Sequence, residues 1–242
     1  MTHLRLLLCL VGLAVAVPGH AQEAANENSV QKLRLAKFVL PEFPEFVLQT
    51  GNNRGVVTVA IGRDGEGIVT DVLVLASTHA LLSRSVTKAV EQWKFALPAN
   101  PGPADKPILP IVRFIFTAKG ITVVSALTGS LGAKDRDIDI KAPVILPNFA
   151  ELDSVPKPLH RPMPRFTGAM AERAVGGTVT VRFFVDETGR VRVPIVVECS
   201  TPELGLAAIA AVEQWQFEPP LAAGQSTIVL ETETFSFQPT KT

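Results

Sequence analysis

The chain has 242 residues, enough for one large domain or two small ones, and 47% of them are apolar against 19% charged, which excludes wholesale disorder. Basic and acidic side chains number 23 each, so no positive excess is available to neutralise phosphates and nucleic acid is not an expected partner.

Residues 1–21 read MTHLRLLLCLVGLAVAVPGHA, with Arg5 ahead of an apolar run from Leu6 to Val17 and then Pro18, Gly19 and Ala21. This is the layout of a secretory signal peptide cleaved after Ala21. A retained membrane anchor is the competing reading, but the run has 12 residues where a spanning helix needs roughly 20. Cys9 follows Leu8 rather than the small residue of a lipid-modification site, so no lipid anchor is expected. Cleavage leaves Cys199 alone, with no intramolecular disulfide, and its place at the end of an apolar run reads as a buried small hydrophobe rather than a nucleophile. Residues 22–37 form a polar lead-in.

The rest of the chain is dominated by a repeat. Residues 55–99 laid on 177–221 at a constant offset of 122 agree at 16 of 45 positions, including Gly55/Gly177, Asp64/Asp186, Gly67/Gly189 and the whole of VEQW. The match extends outward with small slips: Phe114 and Phe116 align with Phe235 and Phe237 at 121, and Phe43 and Pro44 with Met163 and Pro164 at 120. Residues 38–117 and 156–238 are therefore expected to be two copies of one unit.

Each copy opens on a proline-rich approach, LPEFP at 40–44 and RPMP at 161–164. GVVTVAIG and GTVTVRFFV then alternate, with Val57, Val59 and Ile61, or Val179, Val181, Phe183 and Val185, on one face of a half-buried strand. RDGEG and DETG supply a turn, and a second run, from Ile68 to Ala76 or Arg190 to Val197, completes a hairpin. Pro194 inside that run cannot donate a ladder hydrogen bond, so it is expected at a bulge or with its missing donor facing away from a neighbour.

A helix follows, capped by Ser77 and Thr78 in the first copy and by Ser200 or Thr201 ahead of Pro202 and Glu203 in the second. Leu82, Val86, Ala89, Val90 and Trp93, and Leu204, Ala208, Ala211, Val212 and Trp215, form one apolar stripe each. The last turn holds the tryptophan, and Pro98, or Pro219 and Pro220, blocks continuation. Trp93 with Phe95, and Trp215 with Phe217, read as core closures rather than exposed partner anchors. A third strand runs from Ile108 to Phe116 and from Thr227 to Phe237. The fold class is α+β: two tandem small units, each an antiparallel sheet in the order strand, strand, helix, strand with one packed helix. Residues 118–155 read as a partly proline-rich linker, docked in part and holding a short strand at Ile121 to Val124.

The proline-rich approach, the GxVxV strand, the aspartate and glycine turn and the helix running into AVEQWxF with proline after it, all present twice, resemble the C-terminal domain of the TonB family. The resemblance implies a periplasmic binding module whose partners are envelope proteins, outer-membrane transporters among them, that add a strand to the edge of the small sheet. Carried over by position, the candidate partner contacts are Pro41, Phe43 and Pro44, or Pro162, Met163 and Pro164, together with the last strands around Arg113 and Ile115 or Thr232 and Thr234. Energy-transducing members keep a membrane helix and a long spacer. Here 16 residues lie between Ala21 and Phe38, a reach of roughly 50 Å when extended. A membrane-anchored energy transducer remains the alternative if residues 1–17 are retained, and a self-associating structural protein, as a homo-dimer, is another.

An enzyme is not expected. His79, His160 and Cys199 lack metal-ligand spacing, no nucleophile motif or phosphate loop is present, and neither cofactor, metal nor small-molecule substrate is implied. Asp64 and Asp186 are expected to serve their turns rather than act as a carboxylate pair. The repetition of Glu91 and Gln92 as Glu213 and Gln214 has no reason visible in the sequence.

Overall fold

The computed structural model describes residues 35–45, 54–97, 109–117, 120–126, 151–165 and 176–238. The signal-peptide reading, Cys9 and most of the lead-in and linker lie outside the described residues. Among the described residues no helix is long and apolar enough to cross a membrane.

Among the described residues the architecture is α+β, with antiparallel pairing and two helices. In the first half, β1 (Leu35–Lys37) precedes the hairpin of β2 (Arg54–Arg63) and β3 (Val69–Ser77), helix α1 (Ala80–Val90), and the two-residue β4 (Lys94–Phe95). Strands β5 (Ile111–Thr117) and β6 (Gly120–Ala126) follow, and the sheet order is β3-β2-β5-β6. In the second half, β7 (Pro158–His160), the hairpin of β8 (Gly177–Val185) and β9 (Val191–Cys199), helix α2 (Pro202–Val212) and β10 (Gln216–Phe217) come in the same order. A small hairpin of β11 (Leu221–Ala222) and β12 (Gln225–Ser226) intervenes before β13 (Val229–Phe237), and the sheet order is β13-β8-β9.

The alternating positions do as their period dictates. Val57, Val59 and Ile61 pack with Leu82, Val86, Val90 and Trp93 in one core, and Val179, Val181, Phe183 and Val185 with Leu204, Ala208, Val212 and Trp215 in another. Between strands of each hairpin, Asp64 Oδ1 accepts from the amides of Glu66 and Ile68, and Asp186 Oδ1 from the amides of Thr188 and Arg190 and the Thr188 hydroxyl. Gly67 and Gly189 leave these turns at φ +80° and +81°, where a Cβ would lie 2.3 Å and 2.0 Å from the carbonyl oxygens of Phe95 and Phe217. Glycine is required there by both backbone and space.

Three local expectations are corrected. The cap of α1 is His79, whose Nδ1 accepts from the Leu81 amide, because Thr78 is engaged with Val56 N and Ser77 with His79 itself. At the aligned position Thr201 caps α2, as expected. The tryptophans lie beyond the last helical turn: both helices end in αR caps at Glu91 and Glu213, and Trp93 and Trp215 close one more turn by donating to Val90 and Val212. Cys199 is exposed, not buried, since β9 ends there. The repeated glutamine finds its reason: Gln92 and Gln214 donate from the side-chain amide to the carbonyls of Lys88 and Ala210, groups the helix end leaves without an intrahelical partner. Nothing in the structure explains the repeated glutamate.

The two sheets share a third core made by the faces turned away from the helices. Ala60, Leu73, Leu109 and Ile111 of the first half pack with Phe184, Val193 and Ile228 of the second. At its margin Asp71 accepts a bidentate pair from Arg192 and, at 3.2 Å, the amide of Val193. Val193 has φ +49°, costly for a β-branched residue, and it sits in a bulge, the first of the two placements open to Pro194, where Val193 and Pro194 oppose Phe183 alone. Burial works to raise the Asp186 pKa, but the Thr188 hydroxyl, the amides of Arg190 and Thr188 and the Arg192 charge together hold it below the usual carboxylate range.

Asp71→Ala removes three hydrogen bonds from this margin and should lower stability by about 1–3 kcal/mol, toward the lower end because both partners are part-exposed. Urea denaturation checks this, with an unchanged far-UV spectrum showing that the halves keep their own folds.

Candidate functional site

The structure turns the proline-rich approaches into straps. Each crosses the helix side of its half and is held from below by an indole: Trp93 Nε1 donates to the Val39 carbonyl at 2.7 Å and Trp215 Nε1 to the Pro162 carbonyl at 2.9 Å. Trp93 and Trp215 are 3% and 2% exposed, so these are core residues whose one polar atom is satisfied by the strap. The WxF tail secures the other margin. Phe95 and Phe217 donate backbone hydrogen bonds to Gly67 and Gly189, while β4 pairs with β1 and β10 with β7.

This placement divides the strap residues. Pro41 is buried and Phe43 packs edge-on against Phe116 at 5.3 Å, so both belong to the first core, with Pro44 half-buried beside them. In the second strap, Pro162 is half-buried over Trp215, Pro164 is half-buried, and Met163 is 70% exposed. Arg161 stacks over the Trp215 ring at 4.5 Å and ion-pairs with Glu233.

The last strands differ more. Arg113 and Ile115 lie on β5, which has β2 on one side and β6 on the other. Ile115 is buried and the Arg113 guanidinium reaches Thr58. The edge expected at these residues is therefore occupied by residues 120–126, part of the stretch read as linker. Thr232 and Thr234 lie exposed on β13, which pairs with β8 through nine residues without a register break. Among the described residues nothing pairs with its outer edge.

The sequence reading missed two residues on β13. Glu231 and Glu233 share the parity of Val229, Phe235 and Phe237 and so stand on the face packed against the helix. Burial pushes the Glu231 carboxyl up to about 7; the nearby Glu233 charge adds to the rise and Arg161 opposes it. No group of His, Cys, Asp or Glu among the described residues is arranged to hold a metal. The site's chemistry is a backbone edge beside an acidic pair.

Residues 162–239 match the family model described as Gram-negative bacterial TonB protein C-terminal. That match runs from the second strap through β13. Among solved structures, the solution NMR structure of Pseudomonas aeruginosa TonB CTD is 27% identical over 37% of this chain and 92% of that chain, with a TM-score of 0.33. No curated protein matches the chain.

Two outcomes check the site as built. Trp215→Phe keeps an aromatic ring but loses the fused pyrrole and leaves the Pro162 carbonyl without its donor, and should cost at least about 1–3 kcal/mol in chemical denaturation. The raised Glu231 carboxyl favours folding while protonated. Its stabilisation is complete below 4.5 and lost as pH rises through about 7. The wild-type chain should be less stable at about pH 8 than at about pH 5, and Glu231→Gln should flatten that difference.

Proposed function

We propose that the protein is a periplasmic interaction protein of the cell envelope, built from two TonB C-terminal-like domains, that binds extended segments of envelope proteins by strand addition. Outer-membrane transporters are the partner class implied by the family match over 162–239. In this reading residues 156–238 form one domain and residues 38–117 a diverged copy, the chain being delivered by a cleaved signal at residues 1–21.

The carrying observation is the edge of β13, unpaired among the described residues, with nine residues in unbroken register with β8 on its inner side. Strand addition needs such an edge, because main-chain donors and acceptors supply the affinity and alternate side chains the selectivity. The other outer strands of the two hairpins suit it less: β3 and β9 each carry two register shifts against their partners, which blunt an edge. The pairing of β5 with β6 supports the mode, since there the chain adds a strand of its own to the corresponding edge.

A further support for two copies is the contact between Asp71 and Val193. These are the same position at the offset of 122, and they touch. A position meeting its own equivalent is what a two-fold relation between like surfaces produces.

The test is a titration of isotope-labelled protein with peptides from the N-terminal segments of outer-membrane transporters. Amide shifts concentrated on β13 and on the strap at 158–164 are the expected result. Shifts confined to the first half, or none with any peptide, would sink the assignment.

A further inference from the structure

We propose that the open edge of β13 selects an extended segment in which two alternate apolar residues are followed, four positions after the second, by lysine or arginine, with Glu231 reading the basic side chain. This rests on the strand-addition reading above and names the chemistry of the segment it takes.

The template lies within the chain. Strand β6 docks on β5 with Ile121 opposite Phe116, Val123 opposite Phe114 and Ser125 opposite Val112. Ile121 and Val123 thereby join the core that holds Val112, Phe114 and Phe116. The third strands of the two halves align at an offset of 121, which maps Phe116, Phe114, Val112 and Pro110 onto Phe237, Phe235, Glu233 and Glu231. A segment docked on β13 in the register of β6 therefore meets Phe237 with its first residue and Phe235 with its third. Its fifth residue faces Glu233 and its seventh faces Glu231.

Exposure agrees with this assignment. Where β6 is in place, Phe114 and Phe116 are 0% exposed, whereas Phe235 and Phe237 keep 5% and 7%. The first two alternate positions of the incoming strand thus continue an apolar surface, as Ile121 and Val123 do.

The remaining positions meet charge. Glu231 and Glu233 are two carboxylates on one face of one strand, and Arg161 supplies one guanidinium, already ion-paired with Glu233. Glu231 makes no ion pair among the described residues, and one further cation would balance the group. A basic side chain directly across an antiparallel pair from Glu231 has the geometry to do so, while an acidic one there would be repelled. In the first half the corresponding positions are Val112, in the core, and Pro110, which is also buried. The charge requirement therefore belongs to β13 and not to the edge that β6 fills.

Three labelled peptides, GITVVSAL, which is this chain's own sequence at 120–127, and its forms ending in lysine or glutamate, test this by fluorescence anisotropy against the full chain. The lysine form should bind about ten-fold more tightly than the glutamate form, with the leucine form between them. Glu231→Gln should bring the lysine and glutamate forms within about two-fold of each other. Arg161→Gln, by removing the competing cation, should widen the gap, a change that a purely structural role for Glu231 would not produce. Equal binding of the three peptides, or a preference for lysine that survives Glu231→Gln, overturns the charge selection and leaves strand addition standing. Binding of none overturns strand addition at this edge, and the selection with it.

Discussion

A buried tryptophan must place one N–H, and in this protein that requirement organises everything on the helix side of both sheets. The rings of Trp93 and Trp215 close their cores, and each donor points outward at a backbone carbonyl of a proline-rich strap. Proline suits the strap, since it offers a carbonyl and has no amide needing a partner of its own. Once the strap is held, β1 and β7 fall beside the short WxF strands, and Arg161 is carried over the Trp215 ring to Glu233. The acidic site on β13 thus inherits its one cation from a hydrogen bond made in the core beneath.

The identities between residues 55–99 and 177–221 mark what each half needs for itself: the valines of the first strand, the aspartate and glycine of the turn, the helix stripe and the WxF tail. Residues that join the halves were not legible by the same route. Residues that meet across the seam must complement one another rather than match. Asp71 faces Val193, and Arg192, standing where the first half has Thr70, supplies the charge Asp71 needs. The seam lies where the halves differ in sequence. A period count passes over such differences, since it looks for agreement.

Of the surroundings of the β13 edge, aligning the third strands at an offset of 121 places Thr234 with Arg113, and the strand at Ile121 to Val124 follows from its β-branched residues. That this strand fills the edge beside Arg113 and Ile115 is a hairpin pairing that begins at Thr117 and Gly120, and reading residues 118–155 as a linker passed over it. Glu231 and Glu233 escaped for a different reason. LETETF is polar at both parities, so alternation does not say which face is inward; only Phe235 and Phe237, two and four residues on, fix the parity that turns the glutamates toward the helix side.

An exposed edge strand is a hazard as well as an opportunity, because any extended chain can pair with it. This chain fills one such edge with β6 and breaks the regularity of β3 and β9 with bulges. Strand β13 is regular and, among the described residues, unpaired on its outer edge, yet it carries two carboxylates on its inward-facing side. Two copies meeting edge to edge along β13 would set these acidic groups near one another in a part-buried setting, where like charges repel with little screening. The same arrangement that disfavours self-pairing welcomes a strand bearing a cation. In the strand-addition proposal a single pair of glutamates therefore serves both ends: it disfavours pairing of two β13 edges and selects a strand that brings the missing cation.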